Sequence, residues 1–296
     1  MADRENAAAD TVASAAKQEG SRAEAAQNIL AYQRGACIPV NRRVHAFWCR
    51  YPSRANFGDA ITPWLIHKIT GRHPIFAWPA SPIQKYLVVG SIVRYATKCC
   101  TVWGTGIISR NDLISAQAEF VAVRGPLTRR RALQCGVSCP TVFGDPALLL
   151  PRFHRPKIHR TEALIGILPH FSHQPKVSYR WRRSSRLRLI DIQRPVEQVI
   201  DEICSCHFIV TSSLHGLIAA NAYGIPARWV EFNDPIQGDG TKFLDYFLAA
   251  GQPIQEPLRL EYDAFDADFL ESHLPDKPKP FDGADLWKAC PFRELC

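Results

Sequence analysis

Apolar residues along this chain fall in short continuous runs, and most runs end at a turn built on glycine or proline before a helical pattern begins. The first such runs are His45-Ala46-Phe47-Trp48, Leu87-Val88-Val89, Thr101-Val102-Trp103, Phe120-Val121-Ala122-Val123 and Thr141-Val142-Phe143. Their turns carry Gly90, Gly104 and Gly106, Arg124-Gly125-Pro126, and Gly144-Asp145-Pro146. Apolar runs with little polar alternation signal strands buried on both faces, and helical patterns over 59–70 and 126–135 between them make βαβ units of a parallel sheet.

A polar stretch, PRFHRPKIHRTE, then reads as a linker. Beyond it, apolar runs at 164–168, 187–192, 208–210 and 228–232 alternate with helical stretches near 195–204 and 214–223. The same α/β architecture thus recurs without a sequence repeat. The expectation is a flexible arm over 1–35, one α/β domain over 36–155, and a second over 156–296 that ends in a tail. The arm is rich in Ala, Glu, Gln and Ser and poor in large apolar residues, which suits a segment outside the core.

Composition narrows the class. A length of 296 residues suits two domains, and 46% apolar with 22% charged residues is ordinary for a globular protein. No apolar stretch approaches the ~20 residues of a membrane-spanning helix. The opening MADRENAAADTVASAAKQEG has early acids and no apolar h-region, so the expectation is a cytoplasmic protein without a secretory leader. Ten scattered cysteines are then expected mostly as small hydrophobes. In Cys204-Ser205-Cys206-His207, alternation along a strand would send the two thiols to one face and the imidazole to the other, so no zinc site is expected there. The sequence shows no carboxylate cluster for another metal, and no cofactor is expected.

The net charge of +8 favours anionic partners. Arg180, Arg182, Arg183, Arg186 and Arg188 crowd the segment RWRRSSRLR, and Arg129, Arg130 and Arg131 form a second cluster. A solvated face accounts for either, and neither has the periodicity of a nucleic-acid reader, so no nucleic acid is expected.

Open parallel sheets bind ligands at the carboxyl ends of their strands, which directs attention to the post-strand turns. Asn56-Phe57-Gly58-Asp59 precedes a helix, and capping alone explains it, with Asp59 facing a cleft as the alternative. Arg124 ends a strand where a helix starts, a place where guanidinium and helix dipole both favour a phosphate or carboxylate. Asp145 before Pro146 reads as a cap rather than a base. His170 is a lone loop histidine.

The strongest segment is TSSLHGLIAANAYGIPA, residues 211–227. It predicts a buried strand, a hydroxyl-rich turn and a helix of small residues seated tightly on its sheet. The helix start, with Ser212, Ser213 and the N–H groups around Leu214 and Gly216, is prepared for an anion, and His215 on the first turn can donate a proton to it. Further on, Lys242 stands at a glycine turn leading into another helix.

NFGDAITPWL, VVGSIV, TVWGTGI, VRGPLTRR, FGDPALLLP, ILPHF, SSLHGLIAANAYGIPA and KFLDYF occur here in the order they have in the polysaccharide pyruvyl transferase family. The chain resembles that family over roughly residues 55–248, and most of all the bacterial ketal pyruvate transferases of exopolysaccharides such as xanthan and succinoglycan. The resemblance implies two Rossmann-like domains facing across a cleft, similar to GT-B glycosyltransferases. It implies phosphoenolpyruvate as donor and, as acceptor, a lipid-linked oligosaccharide whose sugar offers two neighbouring hydroxyls. Arg124 and Lys242 would hold the donor's phosphate and carboxylate, and His215 would be the general acid. Asp59, Asp145 and Glu231 remain alternatives for the base, as does phosphate itself. RWRRSSRLR would dock the enzyme peripherally on the inner, anionic face of the cytoplasmic membrane. Two other functions share the pattern: a GT-B glycosyltransferase using a nucleotide sugar, and a silent subunit of a polysaccharide assembly complex.

Overall fold

The computed structural model describes residues 43–50, 56–158, 164–176, 184–262 and 265–295. Five strands, β1 (His45–Phe47), β2 (Ile75–Phe76), β3 (Lys85–Leu87), β4 (Cys100–Trp103) and β5 (Glu119–Ala122), form a parallel sheet in the order β2-β1-β3-β4-β5. Five more, β6 (Ile165–Leu168), β7 (Leu187–Leu189), β8 (Phe208–Thr211), β9 (Ala227–Phe232) and β10 (Leu258–Leu260), form a second in the order β10-β9-β8-β6-β7. The α/β class with two parallel sheets follows from the apolar runs. β4, β6 and β8 are buried at every position, so they have no polar face to alternate.

The helices are α1 (Phe57–Thr70), α2 (Pro126–Gln134), α3 (Val196–Cys204), α4 (Leu214–Ala222), α5 (Thr241–Ala249), α6 (Ala267–Glu271) and α7 (Ala284–Lys288). One apolar core joins the halves: Phe57, Ile61, Leu65 and Ile66 of α1 belong to the same cluster as Val199 and Ile203 of α3 and Leu217, Ile218 and Ala219 of α4. The tail expected with the second domain packs on the first sheet. Trp103 Nε1 donates to Leu286 O at 2.9 Å, and the buried Phe292 ring meets Tyr86 and Trp103 edge-on.

Some local expectations change. The run at 141–143 makes only a single bridge, Val123 to Phe143, and a 3-10 helix, Pro146–Arg152, follows. Pro146 and Pro151 lack the N–H groups that a longer regular element would use. Cys204 closes α3 instead of lying on a strand, so alternation does not govern Cys206 and His207. Cys206 turns its thiol to Glu202 O, and the His207 N–H pairs with Leu164 O. Cys49, Cys100, Cys135, Cys139 and Cys206 are free thiols, and Cys99 is disulfide-bonded.

The expected arm and Arg180, Arg182 and Arg183 lie outside the described residues. Arg186 is occupied by Asp268 and Glu271, each at 2.6 Å, and Arg188 donates to Ser205 Oγ at 2.7 Å. Among the described residues, no helix is long and apolar enough to cross a membrane.

Candidate active site

Post-strand segments from both halves enclose a cleft of about 570 Å³. Asn56 and Asp59 come from the β1 side, Gly90 to Ile92 from after β3, His170 to Ser172 from after β6, Ser213 to His215 from after β8, and Gln237 and Lys242 from after β9. Ligand sites at strand carboxyl ends follow from the handedness and direction shared by βαβ units.

The 211–216 turn is built so that His215 has one position. Thr211 Oγ1 donates to Leu168 O at 2.6 Å and accepts from Ser213 N at 3.0 Å. Ser213 caps α4 by accepting from Gly216 N at 3.4 Å. A Cβ on Gly216 would come within 2.5 Å of Leu168 Cδ2 and 2.7 Å of Thr211 Oγ1, so only glycine lets α4 sit this low on β6 and β8. The His215 ring, nearly buried, turns Nε2 toward Asp145 Oδ2 at 3.4 Å, and its Nδ1 side lies against Gly58 of α1. Neither Nε2 nor Asp145 Oδ2 completes a hydrogen bond among the described residues. Asp145 does cap its 3-10 helix, accepting from Ala147 N at 3.0 Å, and its second oxygen faces the imidazole.

The expected anion cradle divides into two groups. Ser213, Leu214 and His215 line the cleft. Ser212 and Gly216 build the frame behind them. Ser212 Oγ accepts from His170 N at 3.0 Å and meets His173 Nδ1 at 2.9 Å, while His173 Nε2 reaches Asp234 O at 2.8 Å. This clamp fixes the turn carrying His170. Burial, followed by the charges of Lys242 and the neighbouring histidines, pushes the His170 pKa down to about 3, so it is neutral in the cleft.

Asn56 occupies the N-cap position of α1, yet its side chain makes no capping bond. Instead Nδ2 donates to Asp59 Oδ2 at 3.4 Å. Burial raises the Asp59 pKa to about 6 against the opposing pull of His215 and Asn56. A carboxylate tuned toward neutrality is suited to accept a proton. Cys49 also lines the cleft, but burial and then the Asp59 charge lift its thiol to about 11, which leaves it protonated.

Arg124 meets the anion that its position predicts, and that anion belongs to the protein. Its guanidinium is fully buried, with Nε 3.2 Å from Asp245 Oδ2 of α5. Asp245 also accepts from Leu127 N, Thr128 N and Thr128 Oγ1 at 2.8, 3.0 and 2.6 Å, so a residue of the second half caps α2 of the first. Arg124 Nη1 donates to Ser91 Oγ at 2.8 Å, and Ser91 lines the cleft. Lys242, one turn before Asp245, lines the cleft directly and donates to Gln237 O at 3.0 Å. Burial and then the Arg124 charge lower its pKa to about 8. Glu231 lies on β9 outside the cleft lining, though its charge reaches Lys242.

Four contributors went unread in the sequence. Arg94 and Ser91 follow the β3 turn, and the rule that singled out Arg124 after β5 would have found them. His173 and Asp245 had no local signal, because their partners are 39 and 121 residues away. Among the described residues, no group of three or more His, Cys, Asp or Glu side chains could hold a metal ion.

A family model described as polysaccharide pyruvyl transferase matches residues 27–234. An uncharacterized protein of Acanthamoeba polyphaga mimivirus is 34% identical over 173 residues, 55% of this chain and 59% of that protein. The chain therefore spans about three fifths of the length of the curated relative it matches. No solved structure matches.

Proposed function

The chain belongs to the polysaccharide pyruvyl transferase family, and from that premise we propose that it moves pyruvate from phosphoenolpyruvate onto two neighbouring hydroxyls of a sugar in an exopolysaccharide repeat unit, releasing phosphate. The observation that carries this is His215, held between Asp145 and the first turn of α1 in a cleft that also holds Asp59 and Lys242.

The steps balance on these groups. His215 gives a proton to the methylene carbon of the donor, which becomes a methyl group, and the adjacent carbon becomes oxocarbenium-like. One sugar hydroxyl attacks that carbon, and Asp59 takes its proton. The carbon–oxygen bond to phosphate breaks as the second hydroxyl closes the cyclic ketal, and its proton leaves with phosphate. The proton on Asp59 is the one that restores His215 for the next turnover. Asp145 orients the imidazole. Because Nε2 faces Asp145, Nδ1 is the nitrogen left to donate.

Lys242 is the direct clamp on the donor anion, where a fixed cation favours the departing phosphate. Arg124 acts through Ser91, which it polarises from behind the cleft wall. The acceptor is proposed to be lipid-linked and modified at the cytoplasmic face of a membrane. With Arg186 paired to surface carboxylates and Arg188 bonded to Ser205, attraction to that membrane would fall chiefly to Arg180, Arg182 and Arg183.

The test is to incubate the protein with phosphoenolpyruvate and a membrane-extracted acceptor and to follow phosphate release. His215→Ala is expected to lower turnover by about 10²–10⁴-fold, the usual contribution of a positioned proton donor. Undiminished release in that variant would overturn the mechanism. Binding of a uridine or guanosine diphosphate without phosphoenolpyruvate binding would favour glycosyl transfer instead.

A further inference from the structure

A second groove, of about 390 Å³, runs between the 107–111 loop, α2 and α5. It adjoins the cleft at two successive-residue steps: Ile107 lines the groove and Ile108 the cleft, and Thr241 lines the groove and Lys242 the cleft. Three guanidinium groups, Arg110, Arg130 and Arg131, border it beside the apolar walls of Ile107, Leu127 and Leu244.

The charge there is only partly answered. Arg110 Nε meets Asp239 Oδ2 at 3.2 Å, with Arg110 largely exposed. Arg131 donates to the Asp112 and Asn111 carbonyls at 2.7 and 3.3 Å, which holds the loop but supplies no full negative charge. Arg130 is exposed and has no carboxylate partner among the described residues. Three cations therefore face one carboxylate. The proposed transfer chemistry uses none of them. Apolar surface continues from the groove along α5, because Leu248 follows Leu244 by one turn on the same face and both are exposed, at 44% and 36%.

The geometry points to an acceptor subsite: the groove binds a phosphate ester carried on an apolar chain, so that the sugar attached to that phosphate lies in the cleft. Guanidinium forks match phosphate oxygens in pairs, and several together suit a phosphate better than a single carboxylate. The leucine and isoleucine walls take the chain. This assignment rests on the pyruvyl-transfer reading only in making the cleft occupant the acceptor sugar.

The experiment titrates the full chain by calorimetry with dodecyl phosphate below its micellar concentration, with inorganic phosphate and with dodecyl maltoside. Dodecyl phosphate is expected to bind at least about tenfold more tightly than either of the others, since only it satisfies both cations and apolar walls. The double variant Arg110→Ala/Arg130→Ala is expected to lose about tenfold or more of that affinity and to keep its affinity for phosphoenolpyruvate and its melting temperature. Equal binding of dodecyl phosphate and inorganic phosphate would overturn the proposal. So would unchanged dodecyl phosphate binding in the double variant, or its displacement by phosphoenolpyruvate. A wild type that binds dodecyl phosphate but not phosphoenolpyruvate would sink the pyruvyl-transfer reading and leave the groove standing.

Discussion

Gly58 of α1 and His215 of α4 touch across the two halves so closely that a Cβ on Gly58 would lie 2.2 Å from the imidazole Nδ1. No positive φ is involved, so the need for glycine here is space, not backbone freedom. Gly58→Ala must push the ring away from its place opposite Asp145. A displacement of about 1 Å typically costs on the order of 10²-fold in turnover. Steady-state kinetics should show kcat reduced by that factor with the donor KM near its wild-type value. An unchanged kcat would remove His215 from the chemistry or show that its position is immaterial.

Two of the perturbed groups in the cleft bracket its working pH. Asp59, raised by burial to about 6, must lose its proton to act as a base, and Lys242, lowered by burial and Arg124 to about 8, must keep its proton to hold an anion. The acid flank of kcat/KM for the donor is therefore expected near pH 6, and donor binding, measured as a Kd, is expected to have its alkaline flank near pH 8. Lys242→Arg, whose charge does not titrate, should flatten the alkaline flank even where it lowers the rate. A flank that stays near its original pH in that variant would mean that another group sets it.

Asp59 also has a cost in stability. Its folded pKa of about 6 lies above the ordinary 3.8, so between those values the folded state binds more protons than the unfolded chain. Stability thus falls as pH rises through this window, and the full penalty persists above it. Asp59→Asn is expected to raise stability at neutral pH by about 1–3 kcal/mol and to change it little near pH 4. Denaturant unfolding at the two pH values checks both the sign and the window, and the same variant should lose activity.

Arg124 and Asp245 form a fully buried pair 3.2 Å apart that also caps α2. Removing either charge strands the other, so Arg124→Met or Asp245→Leu alone should cost about 3–5 kcal/mol. The double variant should cost less than the sum, with a coupling of about 1–3 kcal/mol in a urea-unfolding cycle. Additive losses would mean that the two residues stabilise the protein independently.

The short apolar runs determined the α/β class, eight of the ten parallel strands and the boundaries of α1 to α4 to within a residue or two, because strand burial and turn chemistry are local, while the short edge strands β2 and β10 had no such run. Chemistry-bearing side chains were also legible where they follow strands: Asp59, His170, His215 and Lys242 stand in one cleft because parallel strands deliver their carboxyl ends to one side. Which partner each polar group meets was decided by packing. Arg124 has a local pattern that asks for an anion, and the fold supplies Asp245. Asn56 has the pattern of a cap, yet its amide turns to Asp59. Asp145 is the cap it reads as, and packing then places its free oxygen opposite His215. Local sequence determines where a strand ends and which polar group stands there. The charge state and the partner of that group depend on burial and on residues brought in from the other sheet, and those exist only once the two halves share a core.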